Sequence, residues 1–148
     1  MKLTVFLIFA LILSLLSFSA NYDIISNGEE YIKVNHVSMR FQGTDAVISV
    51  SYGLDMFSGM YVFLLGAHNL EPAIDDLFFD FGDIEVIELR NDQAVILVNN
   101  VSRQNDEFYL HDSHKLGTTV KVLTLVYPDG STRTISGASA TPDTFYSG

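Results

Sequence analysis

Residues 55–82, DMFSGMYVFLLGAHNLEPAIDDLFFDFG, constrain the fold of this chain more than any other stretch. Residues 56–67 form an apolar run without a charged side chain, whereas residues 70–81 combine apolar with acidic side chains. The patterns before and after this stretch are typical of strands. It therefore predicts a helical insert on which a sheet can fold.

The second half of the stretch predicts one amphipathic helix. Its apolar residues recur at offsets of 0, 4, 7, 8 and 11, which places them on a single face: Leu70, Ile74, Leu77, Phe78 and Phe81. Asn69 is placed to cap the N-terminus, Pro72 fits the first turn, and Gly82 suits the left-handed residue that ends a helix. Phe79 falls on the opposite side, where it is either covered by a second layer or exposed to a partner.

The first half is apolar on every side over residues 60–65, so we expect it to be buried whatever its conformation. Periodicity does not separate a buried helix from a buried strand in such a run. Gly66 is a natural stop and favours a helix, and a central strand is the alternative. At about 12 uncharged residues the run is too short to span a bilayer.

The first 20 residues predict a targeting segment. Lys2 precedes an apolar run over residues 3–18, and Ser17-Phe18-Ser19 fits the small-x-small motif that precedes a cleavage site. We expect residues 1–20 to be a signal peptide, with an uncleaved N-terminal membrane anchor as the alternative. Residues 21–148 are then a single extracytoplasmic domain, secreted or anchored at the outer face of the cytoplasmic membrane.

Charge and cysteine content narrow the classes of partner. The chain carries 18 acidic against 8 basic residues, a formal net charge of −10, and the sequence has no basic cluster. Such a balance repels nucleic acid and anionic membrane surfaces, so we expect no nucleic acid partner and a membrane contact only through the N-terminal segment. With no cysteine, the chain has no disulfide, thiolate zinc site or iron–sulfur cluster.

The rest of the chain predicts strands separated by turns. The predicted strands are residues 31–41, 46–52, 84–89, 94–101, 107–110, 120–127 and 131–135. Gly43 predicts a hairpin between the first two, and Pro128-Asp129-Gly130 predicts one between the last two. In the first strand, Ile32, Val34 and His36 should share a face.

Three further expectations concern the second half of the chain. Residues 94–101 are almost continuously apolar, as in a strand covered on both faces. Residues 111–117 are expected to form a loop. Residues 137–148 are expected to form a loosely ordered tail, unless Phe145 and Tyr146 pin it down. The fold class predicted is α+β, a mostly antiparallel sheet with a helical pair inserted after the second strand. An all-β sandwich, with the first half of the insert as a strand, is the alternative.

Several strings taken together resemble a group of small exported proteins of methanogenic archaea that have no assigned function. The strings are SYGLD, LLGAHNLEP, DDLFFDFGD, FYLHDS, LVYPDGSTRT and TPDTFY. They cover most of the chain after residue 20. The resemblance implies an archaeal, extracytoplasmic setting and assigns no catalytic or binding residue.

Two groups of residues are candidate metal ligands. His111 and His114 are three residues apart and could bind a metal ion if their loop makes a helical turn, with Asp112, His36 or His68 completing the site. A loop with two solvated histidines is the alternative. The carboxylates that could hold calcium are Asp75, Asp76, Asp80, Asp83 and Glu85. A solvated acidic helix face is the alternative there, since the chain has no D-x-D-x-D-G loop.

Catalytic motifs are missing from the sequence. It contains no G-x-S-x-G, S-x-x-K or H-E-x-x-H motif and no phosphate-binding glycine loop, so we expect no enzyme and no cofactor. A glycosidase-like carboxylate pair is compatible with the composition alone. Asn100-Val101-Ser102 is a glycosylation sequon.

These observations predict a non-enzymatic binding or structural module at the cell surface, with an unknown protein or glycan as its partner. Aromatic side chains commonly dominate such interfaces. The candidate contacts are Tyr61, Phe79, Phe108, Tyr109, Phe145 and Tyr146. The rival hypothesis is a metal-binding protein or metal-dependent hydrolase that uses His111 and His114.

Overall fold

A computed structural model describes residues 32–148, so the predicted signal peptide or anchor lies outside the described residues. The strands are β1 (Ile32–Gln42), β2 (Asp45–Leu54), β3 (Ile84–Leu89), β4 (Gln93–Val98), β5 (Arg103–Asn105), β6 (Phe108–His111), β7 (Lys115–Val126), β8 (Thr132–Ala140) and β9 (Thr144–Ser147). The helices are α1 (Met56–Leu65), a 3₁₀ helix (Ala67–Leu70) and α2 (Glu71–Leu77). Within the described part of the chain, each helix is too short or too polar to cross a membrane.

The strands form two sheets. The larger has the order β3-β4-β2-β1-β7-β8, and the smaller has the order β5-β6-β9. Every pair of neighbours is antiparallel except β1 and β7, which are parallel. The domain is therefore rich in sheet, with one mixed six-stranded sheet and two short α-helices after the second strand. A sandwich-like arrangement of the two sheets is compatible with this architecture.

The core lies on one face of the large sheet. Ile96, Ile48, Met39 and Leu125 are aligned across four neighbouring strands and are fully buried. Each such side chain contributes roughly 1.5–3 kcal/mol by leaving water. The residues that alternate with them, such as Ser49, are only partly buried. The hydrophobic effect thus holds this sheet mainly through one face.

The predicted alternation of β1 is wrong beyond Val34. Val34 pairs with Tyr52 and His36 with Ser51, so the register shifts by a bulge between Val34 and His36. A bulge inserts one residue into a strand and reverses the faces of the residues that follow. Val34 is buried as expected, His36 is exposed, and Val37 takes the inner position instead.

The prediction that residues 94–101 are covered on both faces is also wrong. β4 ends at Val98, and Val95 and Leu97 on its second face are only partly buried. The inner residues of this apolar run are fully buried. The outer residues are partly sheltered by side chains of the neighbouring strands, because β4 lies between β3 and β2.

The apolar stripe predicted for residues 70–81 is confirmed, and it covers the core face of the large sheet. All five of its residues are buried: Leu70, Ile74, Leu77, Phe78 and Phe81. Phe79 is 61% exposed on the opposite side. The single helix predicted over these residues is instead a 3₁₀ helix followed by α2, which ends before Phe78.

A glycine sets how closely α2 approaches the sheet. A Cβ atom at Gly117 in β7 would lie 2.2 Å from the backbone oxygen of Asp76. Any other residue at this position would clash with the backbone of α2. Gly117 therefore allows the last turn of α2 to pack directly on β7.

The tail and the loop predicted in the second half are wrong in their extent. Residues 144–147 form β9, which pairs with β6. The hydroxyl of Tyr146 donates to the carbonyl of Gly43 at 2.9 Å and contacts the Ser102 hydroxyl at 2.8 Å. The loop shrinks to residues 112–114, because His111 ends β6 and Lys115 begins β7. These contacts join residues far apart in the chain and have no local signal.

Candidate functional site

The helix α1 is closed at both ends by polar groups of its own segment. The Asp55 carboxylate accepts a hydrogen bond from the backbone N–H of Ser58 at 2.7 Å, which caps the N-terminus. Gly66 has a φ of 92° and ends the helix. The Asn69 side chain donates to the carbonyls of Leu65 and Gly66, at 3.1 Å each. Asn69 thus closes the end of α1, where we expected it to cap the next helix.

The large side chains of α1 point away from the core. Of the side chains that the structure describes in α1, Val62 alone is buried. The exposed fractions are 81% for Met56, 58% for Met60, 84% for Phe63, 69% for Leu64 and 59% for Leu65. The prediction that this run is buried is therefore wrong. α1 buries only the side that contains Val62, and its large side chains are in contact with solvent.

Four of these side chains form one stripe, which we call the outer stripe: Met56, Met60, Phe63 and Leu64. At about 100° per residue they fall within an arc of about 100°, on the side of α1 opposite Val62. The run of residues 56–67 has no charged side chain to break this surface. The arrangement resembles the buried face of an amphipathic helix, turned toward solvent.

His111, the first candidate metal ligand, is buried and fully hydrogen-bonded. Its Nδ1 lies 3.0 Å from the carbonyl oxygen of Val101, and its Nε2 lies 2.9 Å from the Thr141 hydroxyl. Since a carbonyl only accepts, Nδ1 carries the proton, and Nε2 of the neutral ring accepts from Thr141. Burial lowers the pKa of His111, which favours this neutral form.

The other two candidate ligands have different partners. The rings of His111 and His114 meet edge to face with centroids 5.2 Å apart, and His114 Nδ1 lies 4.0 Å from Asp80 Oδ2. Asp112 forms an ion pair with Arg103 at 2.9 Å. Among residues 32–148, no three histidine or carboxylate side chains are grouped as a metal site. The metal hypothesis stays a prediction, and a metal ion would have to displace a hydrogen bond of His111.

Two members of the acidic cluster hold neighbouring segments. Asp80 accepts a hydrogen bond from the backbone N–H of Lys115 at 2.7 Å, and Asp83 accepts one from the Asn99 side chain at 3.2 Å. The other three members, Asp75, Asp76 and Glu85, are exposed. Calcium binding by this cluster stays a prediction.

The aromatic residues considered as partner contacts divide into two groups. The exposed ones are Tyr61, Phe79, Phe108 and Phe145. Tyr109 and Tyr146 lie on the inner face of the small sheet, where their rings stack with centroids 5.5 Å apart. Tyr146 is buried. These two tyrosines therefore join the small sheet to the core, while the exposed four remain free to meet a partner.

Asn100 of the sequon lies in an exposed turn after β4. It has a φ of 52°, and its backbone N–H donates to the Asp45 carboxylate at 2.9 Å. Ser102 of the same sequon is buried. Glycosylation of Asn100 stays a prediction, and the burial of Ser102 means that the modification would have to precede folding of this turn.

A surface cleft of about 400 Å³ lies where the β1–β2 and β7–β8 turns meet the small sheet. It is lined in part by Arg40, Gly43, Tyr109, Tyr127 and Gly130. Arg40 is the only charged side chain of its lining. We assign no chemistry to this cleft.

Comparison of the chain with protein-family models, with curated proteins and with solved structures found no match in any of the three.

Sequence reasoning missed the outer stripe as a surface, although its signal was present. The stripe has offsets of 0, 4, 7 and 8, the same spacing that identified the buried face of the next helix. The all-round apolar character of residues 56–65 hid this periodicity. The absence of any charge predicts burial, whereas the structure places these side chains in contact with solvent.

Proposed function

We propose that this protein is an extracytoplasmic domain, secreted or held at the outer face of the cytoplasmic membrane by its N-terminal segment. It acts as a non-enzymatic binding or structural module, and the outer stripe of α1 is its interaction surface. The observation that carries the proposal is the exposure of Met56, Met60, Phe63 and Leu64 on one side of an uncharged helix. Contiguous exposed apolar surface is typical of interaction sites.

The cost of this surface supports a role for it. Apolar surface exposed to water forgoes roughly 25 cal/mol per Å² of stabilisation. Polar replacements on a solvent-facing helix side would cost the fold little, since surface substitutions usually change stability by about 0.5 kcal/mol or less. A chain that keeps large apolar side chains at such positions gains from covering them with a partner.

The caps of α1 support the same proposal. Asp55 and Asn69 satisfy the terminal backbone groups of the helix within its own segment. The helix therefore depends less on burial of its side chains than a helix held by packing alone. It presents the outer stripe in a fixed geometry, as a binding surface requires.

We propose the α+β class for the domain rather than the sandwich class. α2 covers the core face of the large sheet beside β7, where Gly117 admits it. The small sheet reaches the core only through residues of its inner face, such as His111 and Tyr146. A true sandwich would cover that face with strands throughout.

Photo-crosslinking in intact cells tests the proposed function. A photoreactive phenylalanine analogue is placed at Phe63 in the full chain, and the matched control carries it at Thr132, an exposed residue of β8. The expected result is a crosslinked product, to lipid or protein, at position 63 and none at position 132. No product at position 63 beyond that of the control would overturn the proposal.

Protease added outside intact cells tests the location. The domain should be digested while a cytoplasmic marker stays intact. Protection of the domain until the membrane is permeabilised would contradict an extracytoplasmic location.

A further inference from the structure

We propose that the outer stripe is covered by the bilayer itself. In this inference, which rests on the proposed function, α1 lies in the membrane interface and is a membrane contact additional to the N-terminal segment. The sequence confined the membrane contact to residues 1–20. The structure adds an apolar helix at the place where the chain enters the domain.

The pairing of β1 with β2 determines where the described domain begins relative to α1. Ile32, the first residue of β1, pairs with Leu54, the last residue of β2. α1 begins two residues later, at Met56. The chain that comes from the N-terminal segment thus joins the domain next to the start of α1. Residues 19–31 reach at most about 45 Å when fully extended, so the domain of an anchored chain stays within reach of the bilayer.

The dimensions of α1 fit an interfacial helix. Its 10 residues form a rod about 15 Å long, which is half of the roughly 30 Å hydrocarbon core of a bilayer. It therefore cannot span, and it would lie parallel to the surface with the outer stripe about 5–10 Å deep in the boundary of the acyl chains. Tyr61, which is 42% exposed at the flank of the stripe, has the amphipathic ring that favours the headgroup level.

The charges of the domain select the kind of lipid. Many interfacial helices carry lysine or arginine and bind anionic lipids, but α1 has neither. The exposed carboxylates of Asp75 and Asp76 follow on α2, and the chain as a whole is strongly acidic. Anionic headgroups would repel these charges. The attachment is therefore apolar, and a zwitterionic phosphatidylcholine bilayer is the appropriate probe.

The size of the stripe favours lipid over a second copy of the chain. The four side chains are far fewer than the roughly 20–30 residues that each partner contributes to a standard protein interface. A bilayer needs no shape complementarity and covers a stripe of any area. Insertion of each exposed apolar side chain contributes by the same hydrophobic effect that builds the core.

Fluorescence of a single tryptophan tests the inference, because the chain contains no tryptophan of its own. The variant Phe63→Trp places the probe in the outer stripe, at a position that is 84% exposed and so tolerates the change. The matched control is Thr132→Trp, at an exposed position of β8. Both full-length variants are reconstituted in phosphatidylcholine vesicles with and without bromine on the acyl chains, which quenches only tryptophan that reaches the hydrocarbon.

Three results are distinguishable. Blue-shifted emission of Phe63→Trp that brominated lipid quenches, with no quenching of Thr132→Trp, supports the inference. Blue-shifted emission of Phe63→Trp without quenching shows that protein covers the stripe, which overturns the lipid inference and leaves the proposed function standing. Emission of Phe63→Trp like that of a tryptophan in water, equal to that of Thr132→Trp, overturns the lipid inference, while the proposed function is decided by the crosslinking at position 63 in cells.

Discussion

The two helices that follow β2 carry apolar residues at the same spacing and point them in opposite directions. In α1, Met56, Met60, Phe63 and Leu64 lie at offsets of 0, 4, 7 and 8, and all are exposed. The residues at the same offsets from Leu70 run from the 3₁₀ helix through α2, and all of them are buried. We call these residues the inner stripe: Leu70, Ile74, Leu77 and Phe78. Spacing alone defines a stripe, and its direction depends on what lies on the other sides of the helix.

Charge explains the difference. The sides of α2 away from the stripe carry acidic residues such as Asp75 and Asp76, whose desolvation would cost several kcal/mol each. Only one orientation of α2 is therefore stable. α1 has no charged residue, so burial of the small side that contains Ser58, Gly59 and Val62 meets no such penalty. That orientation frees the large side chains for a partner.

Truncation of the residues at the same offset in the two stripes should give the largest difference in the free energy of unfolding. Phe78→Ala removes a buried ring at offset 8 of the inner stripe and should lower the free energy of unfolding by about 3–5 kcal/mol. Leu64→Ala at offset 8 of the outer stripe should change it by about 0.5 kcal/mol or less, because Leu64 is already 69% exposed. Urea unfolding measures both values. Equal losses in the two variants would contradict the assignment of inner and outer stripes.

Two glycines sharpen the comparison, since the same substitution should act with opposite signs. Gly117→Ala forces a Cβ against the backbone of α2 and should cost about 1–3 kcal/mol. At Gly59 in α1 nothing lies within 4 Å of the position of a Cβ, so Gly59→Ala should stabilise the helix by about 0.5–1 kcal/mol. Thermal unfolding distinguishes the two. A destabilised Gly59→Ala variant would mean that α1 is packed more tightly than described.

Loss of the N-cap tests whether α1 is held by its own polar groups. Asp55→Ala removes the acceptor for Ser58 and should cost about 1 kcal/mol. Amide hydrogen exchange should accelerate within α1 and stay unchanged in α2. Equal acceleration in both helices would show that they unfold as one unit and that the cap does not act on α1 alone.

The buried His111 predicts a pH dependence of stability. Its pKa is lowered in the folded protein by burial, while the unfolded chain has the ordinary value of 6.5. Below that value the unfolded state binds a proton that the folded state does not, so stability is complete above pH 6.5 and falls as the pH decreases toward the folded pKa. The variant His111→Asn should flatten this slope, and the exposed control His68→Gln should keep it. A slope that persists unchanged in His111→Asn would contradict the neutral, buried state of His111.

The smallest expected effect is that of zinc. Both ring nitrogens of His111 are engaged with Val101 and Thr141, so zinc added to the chelator-treated protein should leave the melting temperature unchanged. Binding to the native state would raise it by mass action. A saturable rise that disappears in His114→Ala would restore the rival metal-binding hypothesis.

Local chemistry was sufficient to predict part of the fold. The turns at Gly43 and Gly130 require positive φ, which glycine adopts without strain, and both glycines have it. The stripe of α2 was predicted because acidic residues mark its other sides. The burial of Ile48 and Val50 followed from their alternation in β2.

Contacts between distant segments were not predictable. The bulge in β1 depends on how Val34 and His36 meet the partner strand, and β9 depends on Tyr146 reaching Gly43, 103 residues away. His111 is buried because Thr141, 30 residues later, supplies the partner for Nε2. Of the candidate site, the sequence placed Phe79 on the side opposite the stripe of α2 and left its exposure open, and it did not predict the direction of α1.

Oxidation of methionine tests the outward direction of α1 most directly. Met39 is fully buried, while Met56 and Met60 lie in the outer stripe with 81% and 58% exposure. Residues 31–148, kept monomeric at low concentration, are treated with peroxide, and the sulfoxide at each position is followed by mass spectrometry. We predict that Met56 and Met60 react as fast as they do in the unfolded chain while Met39 is protected. Protection of all three alike would show that the stripe is buried and would contradict the account.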